Sequence, residues 1–122
     1  MDPGQSAKAE KRVFLIEDDQ DIRASIVEVL SEEGFETEWA TNGQDALEKL
    51  RAAKSMPGLI LLDLRLPVKD GFQFREEQRK DPRLSGIPVV VISADGKLQE
   101  KTSQMDAKAL LRKPINIDDL LS

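Results

Sequence analysis

The sequence of 122 residues contains no cysteine and no histidine. Without cysteine, the chain forms no disulfide, offers no thiolate to a metal and has no cysteine nucleophile. Without histidine, it lacks the side chain that most often serves as a general base and as a zinc ligand, and it cannot carry a phosphohistidine. Any metal site must therefore be built from oxygen ligands.

Long apolar stretches are also missing. No run approaches the roughly 18 residues that a membrane-spanning helix needs, and the N-terminus lacks the apolar centre of a signal peptide. The net charge of −5 weakly disfavours direct contact with nucleic acid or with anionic membranes. We therefore expect a cytoplasmic protein with no membrane partner and no direct nucleic-acid contact by this domain.

The composition is typical of one folded domain. Hydrophobic residues make up 39% and charged residues 34% of the chain, and 122 residues suit a single compact unit with a real core. The first 12 residues, MDPGQSAKAEKR, are polar and show no apolar period, so we predict a flexible tail there. We assign the folded domain to residues 13–122.

Three apolar runs predict buried strands, at residues 13–16, 59–62 and 87–92. Strands that are apolar on both faces are typical of a parallel sheet covered by helices on each side. Residues 35–40 alternate between two faces, as an edge strand does, and residues 109–112 are a weaker candidate for the opposite edge.

Helical patterns separate these strands. The first has an apolar stripe of Ile22, Ile26, Val29 and Leu30 and ends at Gly34. The second has a stripe of Ala46, Leu47, Leu50 and Ala53. Further helices are predicted at residues 72–80, 97–105 and 116–121. Five strands alternating with five helices predict an α/β protein with a doubly wound, five-stranded parallel sheet.

Polar residues follow four of the predicted strands, at the edge where ligands bind in such sheets. The set comprises Glu17, Asp18, Asp19, Asp63, Ser93 and Lys113. Each one alone has an ordinary explanation as a helix cap, a turn former or a solvated residue. Their coincidence at one edge indicates a functional site.

The chemistry of this set favours phosphoryl transfer. Crowded carboxylates repel one another and need a cation, and oxygen ligands without His or Cys favour Mg²⁺. With Mg²⁺ and Lys113 balancing the charge, one carboxylate becomes a usable nucleophile toward a phosphoryl group, and the Ser93 hydroxyl can hold a phosphoryl oxygen. Asp63 is the best candidate, because the central strand aims it into the group.

With these residues in place, the sequence resembles the receiver domain of response regulators in two-component signalling. FLIEDDQDIR resembles the acidic motif, LLDLRLPVKDG the phosphoacceptor motif, PVVVISA the hydroxyl motif and RKP the lysine motif. The resemblance covers residues 13–121 and implies a flavodoxin-like sheet with strand order 2-1-3-4-5. It also implies a switch that accepts a phosphoryl group from a sensor histidine kinase or phosphotransfer protein. The signal then passes to an output protein or a C-terminal domain.

The resemblance also implies a role for each acid. Asp63 would accept the phosphoryl group and help to bind Mg²⁺. Asp18 would ligate Mg²⁺ directly, Glu17 mainly through water, and the backbone carbonyl of Arg65 would be a further ligand. Asp19 has no family role, and we interpret it as a solvated residue at the start of a helix. Such a domain catalyses only its own phosphorylation and dephosphorylation, so it is not an enzyme in the usual sense.

In the same family, Ser93 corresponds to the switch hydroxyl and Lys113 to the lysine that contacts the phosphate. Leu110 stands three residues before the lysine, where the family often has Tyr or Phe. This departure leaves open a degenerate receiver that acts as a phosphorylation-independent protein-interaction module. A Mg²⁺-dependent phosphatase is disfavoured, because Arg65 stands where such enzymes carry a second acid.

Overall fold

The structure is a computed structural model that describes residues 11–64, 66–93 and 109–112, the last range and Ser93 by their backbone alone. Residues 1–10 of the predicted tail lie outside this part of the chain, as do the helices predicted at residues 97–105 and 116–121. Arg65 and Lys113 also lie outside it.

Strands and helices alternate along the described chain. Their bounds are β1 (Arg12–Ile16), α1 (Gln20–Glu32), β2 (Glu36–Ala40), α2 (Gly43–Ala52), β3 (Leu59–Asp63), α3 (Gly71–Lys80), β4 (Val89–Ser93) and β5 (Ala109–Arg112). The first strand thus begins at Arg12, one residue earlier than predicted. The third helix begins at Gly71, because the Asp70 carboxylate caps it and the Gln73 side chain returns a hydrogen bond to the Asp70 N–H.

The five strands form one parallel sheet in the order β2-β1-β3-β4-β5. This confirms the predicted doubly wound, flavodoxin-like topology. The chain leaves β1 toward one side of the sheet and later builds β3, β4 and β5 on the other side. In sheets of this topology, a crevice opens between the carboxyl ends of the strands where the strand order reverses, which here are β1 and β3.

Two apolar clusters fill the space on the two faces of the sheet. The larger one joins β1, β3 and β4 to α2 and α3, and the smaller one packs α1 against the sheet. Successive residues of β3 serve both clusters, with Ile60 and Leu62 in the larger and Leu61 in the smaller. This double burial explains why the sequence of β3 is apolar at consecutive positions.

The apolar face of α1 differs from the prediction at one position. Ile26 and Leu30 are buried as expected, but Val29 is 38% exposed and Val27 packs against the cluster instead. The face that meets the sheet is therefore centred on Ile26, Val27 and Leu30, and Val29 lies at its margin. The helix ends at Glu32, and the predicted stop signal Gly34 follows its C-cap residue with a φ of 86° that favours glycine.

Arg83 ties the C-terminal ends of α2 and α3 together at the amino ends of the strands. Its guanidinium donates hydrogen bonds to the backbone carbonyls of Arg51, at 2.8 Å, and of Ala53. The Asp81 carboxylate accepts the N–H of Arg83 at 2.9 Å and pairs with the Arg51 guanidinium at 3.2 Å. The free carbonyls that end α2 are thereby satisfied by a residue that follows α3.

The Asp81 carboxyl has a lowered pKa in this network. The main cause is the hydrogen bond from the backbone N–H of Arg83, and the Arg51 guanidinium lowers the pKa further, against the effect of partial desolvation. The charged form of Asp81 is therefore the form that the folded state prefers.

Asp81→Asn tests this network through its pH dependence. Because the folded-state pKa of Asp81 lies below its ordinary value of 3.8, the charge stabilises the fold above that value, and the stabilisation is lost as the pH falls through the lowered pKa. We expect the wild type to exceed the variant in free energy of unfolding near neutral pH. Urea titrations should show this difference shrinking toward zero as the solution is acidified below 3.8. A difference that stays constant with pH would contradict a role for the charge.

Candidate functional site

Two strands deliver acidic side chains to the crevice at the carboxyl edge of the sheet. Ile16 at the end of β1 pairs with Leu62 of β3, so Glu17 and Asp63 follow side by side. Glu17 has no exposed surface and Asp63 is 5% exposed, whereas Asp18 is exposed to solvent. In the predicted cluster, Glu17 and Asp63 are therefore buried, and Asp18 is accessible to solvent.

The three carboxylates converge. One oxygen from each of Glu17, Asp18 and Asp63 lies within 4.8 Å of the others. Like charges at this spacing repel, and a hard cation with oxygen ligands relieves that repulsion. The donor set therefore fits Mg²⁺. Mg²⁺ binds through few carboxylates and keeps several waters, so these three acids need not all contact the ion directly.

Asp19 starts α1 and fixes the loop that carries the acids. Its side chain accepts the N–H of Ile22 at 3.0 Å, which is the N-cap interaction of this helix. Its own backbone N–H donates to the Glu17 carboxylate at 3.2 Å. The interpretation of Asp19 as a helix-start residue is confirmed, and the distances explain how it differs from its two acidic neighbours.

Arg23 also holds this loop, and the sequence reasoning missed it. One guanidinium nitrogen donates to the backbone carbonyl of Glu17 at 3.1 Å and approaches that of Asp18 at 3.5 Å. The guanidinium carbon lies 4.1 Å from the centre of the Trp39 ring. Arg23 stands inside the acidic motif, but its aromatic partner is on β2, so no local pattern indicated the contact.

The loop after β3 approaches the site closely at Gly71. The N–H of Gly71 donates to the carbonyl of Leu64 at 3.1 Å. A Cβ atom at Gly71 would lie 2.6 Å from the carbonyl oxygen of Asp63 and 2.8 Å from the Cα of Leu64. Since both are backbone atoms, only glycine lets α3 begin this close to the end of β3.

The same loop makes a tight turn at Val68. The N–H of Lys69 donates to the carbonyl of Pro67 at 2.7 Å, and Val68 has a φ of 65°, which is costly for a β-branched residue. Val68 is also 82% exposed. Lys69 is held in place through both its backbone and its side chain. Its carbonyl accepts the N–H of Gly43 at 2.9 Å, and its ammonium pairs with Glu77.

The other predicted site residues are only partly placed. Asp63 pairs with Ile92, so Ser93 lies one residue further along β4 at the same edge, and its side chain lies outside the described residues. Arg65, Leu110 by its side chain and Lys113 fall outside them as well. The roles of these residues stay predictions.

The parallel sheet with order 2-1-3-4-5 defines a flavodoxin-like domain, and its candidate site is the cluster of three carboxylates beyond β1 and β3. The chain belongs to the response regulator receiver domain family, which matches residues 13–122. This confirms the resemblance drawn from the four sequence motifs. Among the described residues, no helix is long and apolar enough to cross a membrane.

Individual relatives agree with this assignment. The chain is 33% identical to RpaA, a DNA-binding dual master transcriptional regulator of Synechocystis sp., over 91% of this chain and 46% of RpaA. It is also 33% identical to FilR2, a probable methanogenesis regulatory protein of Methanothrix harundinacea, over 98% of this chain and 84% of FilR2. The chain thus spans about half the length of RpaA and most of FilR2.

A solved structure gives the same result. The phosphorylated cyanobacterial phytochrome response regulator RcpA superimposes with a TM-score of 0.79 at 34% identity, over 92% of this chain and 86% of that chain. These likenesses favour a phosphorylated receiver over the degenerate receiver that Leu110 left open.

Gly71→Ala tests the close approach of α3 to β3. Because the added methyl group meets backbone atoms of Asp63 and Leu64, we expect the free energy of unfolding to fall by about 1–3 kcal/mol. Gly86→Ala is the matched control, since a Cβ there meets nothing within 4 Å, and we expect a change within about 1 kcal/mol. Equal losses in both variants, measured by urea denaturation, would contradict the role assigned to Gly71.

Proposed function

We propose that this chain is a phosphorylation-dependent switch in which Asp63 accepts a phosphoryl group with the help of Mg²⁺. The observation that carries this proposal is the convergence of Glu17, Asp18 and Asp63 within 4.8 Å at the switch point of the sheet. Asp63 is the natural acceptor, because it ends β3, the central strand of the sheet, whereas Asp18 lies in the exposed loop after β1.

Four residues would hold the ion. Asp18 and Asp63 would bind Mg²⁺ through their carboxylates, Glu17 mainly through water, and Arg65 through its backbone carbonyl. When bound, Mg²⁺ supplies the positive charge that lets crowded carboxylates and a phosphoryl group share one site. Glu17 suits an indirect role, because its burial and its hydrogen bond from the N–H of Asp19 at 3.2 Å restrict its movement.

The chemical step forms one bond and breaks one. A carboxylate oxygen of Asp63 attacks the phosphorus, and the bond from phosphorus to the donor breaks. The donor is the imidazole nitrogen of a phosphohistidine or the oxygen of a small acyl phosphate, and it leaves with the electron pair. The product is an acyl phosphate on Asp63. Ser93 would hold a phosphoryl oxygen and Lys113 would balance its charge.

The partners follow from this step. These 122 residues contain no histidine, so the phosphoryl group would come from a histidine outside them, on a sensor histidine kinase or phosphotransfer protein. The phosphorylated state would then act on an output protein or a C-terminal domain, in the cytoplasm. The domain would act only on its own Asp63, through phosphorylation and dephosphorylation.

Asp63→Asn tests the acceptor. We expect acetyl phosphate with Mg²⁺ to add the mass of one phosphoryl group to the wild type, and we expect no addition to the variant, because an amide oxygen is a poor nucleophile. Intact-mass spectrometry measures both, and chelating the Mg²⁺ should abolish the wild-type adduct. Asp21→Asn removes an exposed acid from the first turn of α1 and should leave the adduct unchanged. The same adduct on Asp63→Asn would contradict the assignment.

Asp18→Asn and Asp19→Asn test the metal ligands as a matched pair. Both changes remove one negative charge from the same loop, and Asn is as good an N-cap as Asp, so α1 keeps its start in the second variant. We expect Asp18→Asn to weaken Mg²⁺ binding at least about tenfold, because it removes a direct ligand, and Asp19→Asn to change it much less. Isothermal titration calorimetry measures both affinities. Equal losses would mean that only the summed charge matters and that Asp18 is not a ligand.

A further inference from the structure

We propose that Arg23 is a positioning residue for the Mg²⁺ site and that the Trp39 ring holds Arg23 in place. The inference rests on the proposed function, since it takes the acidic loop after β1 as the place where Mg²⁺ binds. It concerns how that loop keeps its shape, which neither the motif nor the acids alone explain.

The guanidinium of Arg23 bonds to the backbone of the acids rather than to their carboxylates. Its nitrogen donates to the carbonyl of Glu17 at 3.1 Å and lies 3.5 Å from that of Asp18. These peptides carry two of the three carboxylates of the site. A donor at this position fixes the direction of both peptide planes, and with them the directions in which the side chains leave the backbone.

Trp39 anchors the other face of the guanidinium. The guanidinium carbon lies 4.1 Å from the ring centre, which is a cation–π contact. The next residue of β2, Ala40, accepts the N–H of Glu17 at 3.1 Å. The acidic loop is therefore joined to the same two-residue segment of β2 twice, once through its backbone and once through Arg23.

The position of Trp39 also points to this role. The ring is 41% exposed on an edge strand, so it contributes little to the core. Lys49 of α2 donates to the Trp39 carbonyl at 2.9 Å, and its ammonium lies 5.3 Å from the ring centre. A partly exposed ring that contacts a cation from each side of the sheet serves those contacts rather than burial.

The direction in which Mg²⁺ affinity changes when Arg23 is removed distinguishes a positioning role from a purely electrostatic one. Arg23 is a positive charge near a site for a cation, so removing it should tighten Mg²⁺ binding if charge alone matters. Positioning predicts the opposite, because a loop that loses its fixed peptide planes must be ordered by the ion. Trp39→Leu leaves the charge unchanged and should weaken binding by positioning alone.

The experiment measures Mg²⁺ affinity by isothermal titration calorimetry for the full chain and four variants. We expect Arg23→Ala to bind about tenfold more weakly, at the low end of losses for residues behind a metal ligand. Arg23→Lys keeps the charge but loses the planar fork, and it should fall between Arg23→Ala and the wild type. Trp39→Leu should bind Mg²⁺ about threefold more weakly than the wild type, in line with the loss of an exposed cation–π contact. Trp39→Phe should recover part of that loss, because it restores an aromatic face.

Lys49→Ala is the matched control. It removes the second cation at the Trp39 ring without touching the acidic loop, so its Mg²⁺ affinity should match that of the wild type. Trp39 is the only tryptophan of the chain. Its fluorescence should therefore change on titration of the wild type with Mg²⁺, with the calorimetric midpoint, and this change should be lost in Arg23→Ala.

Each outcome decides between the two proposals. Tighter binding in Arg23→Ala, or wild-type affinity in both Arg23→Lys and Trp39→Leu, would overturn the role of Arg23 and leave the proposed function intact. A wild type that binds no Mg²⁺ would overturn the proposed function together with the inference. Urea denaturation of every variant shows whether stability alone has changed, and a variant that is less stable but binds Mg²⁺ normally counts against positioning.

Discussion

The site depends on the parallel pairing of β1 with β3. Ile16 lies opposite Leu62, and this register sets Glu17 beside Asp63 at the reversal of the strand order. The two carboxylates repel each other, so the pairing must be secured by the apolar residues behind them. Those residues are fully buried on both faces of the sheet, and their burial, at about 25 cal/mol per Å² of apolar surface, is what offsets the repulsion.

A second constraint keeps the acids apart in function. Glu17 is buried and receives a hydrogen bond from the N–H of Asp19, Asp19 caps α1, and Asp18 is exposed between them. Three consecutive acids thus meet three different surroundings within one loop. This division leaves one acid of the loop open to solvent while its two neighbours hold the loop in place.

The sequence predicted the sheet well, because apolar runs such as 13–16 and 59–62 carry their burial in their own residue order. The acidic cluster was also predictable, since strand ends meet at one edge in any doubly wound sheet. Arg23 and Trp39 were not, because their contact joins α1 to β2 and depends on tertiary packing. Val29 was wrongly assigned to the buried face of α1, because its apolar spacing does not show how the helix is rotated against the sheet. The turn at Val68 was not predicted, because no local pattern indicates it.

The hydrogen bonds that join α2 to α3 have a consequence for how the two helices can move. At one end, the N–H of Gly43 bonds to the carbonyl of Lys69, just before α3, and at the other end Arg83 bonds to the carbonyls of Arg51 and Ala53. Because α2 and α3 are joined at both ends, we expect them to move together rather than independently against β1, β3 and β4. A structural change at Asp63 would therefore not be absorbed by movement of α2 relative to α3. We expect it to spread along the sheet instead, toward the strands that these two helices do not cover.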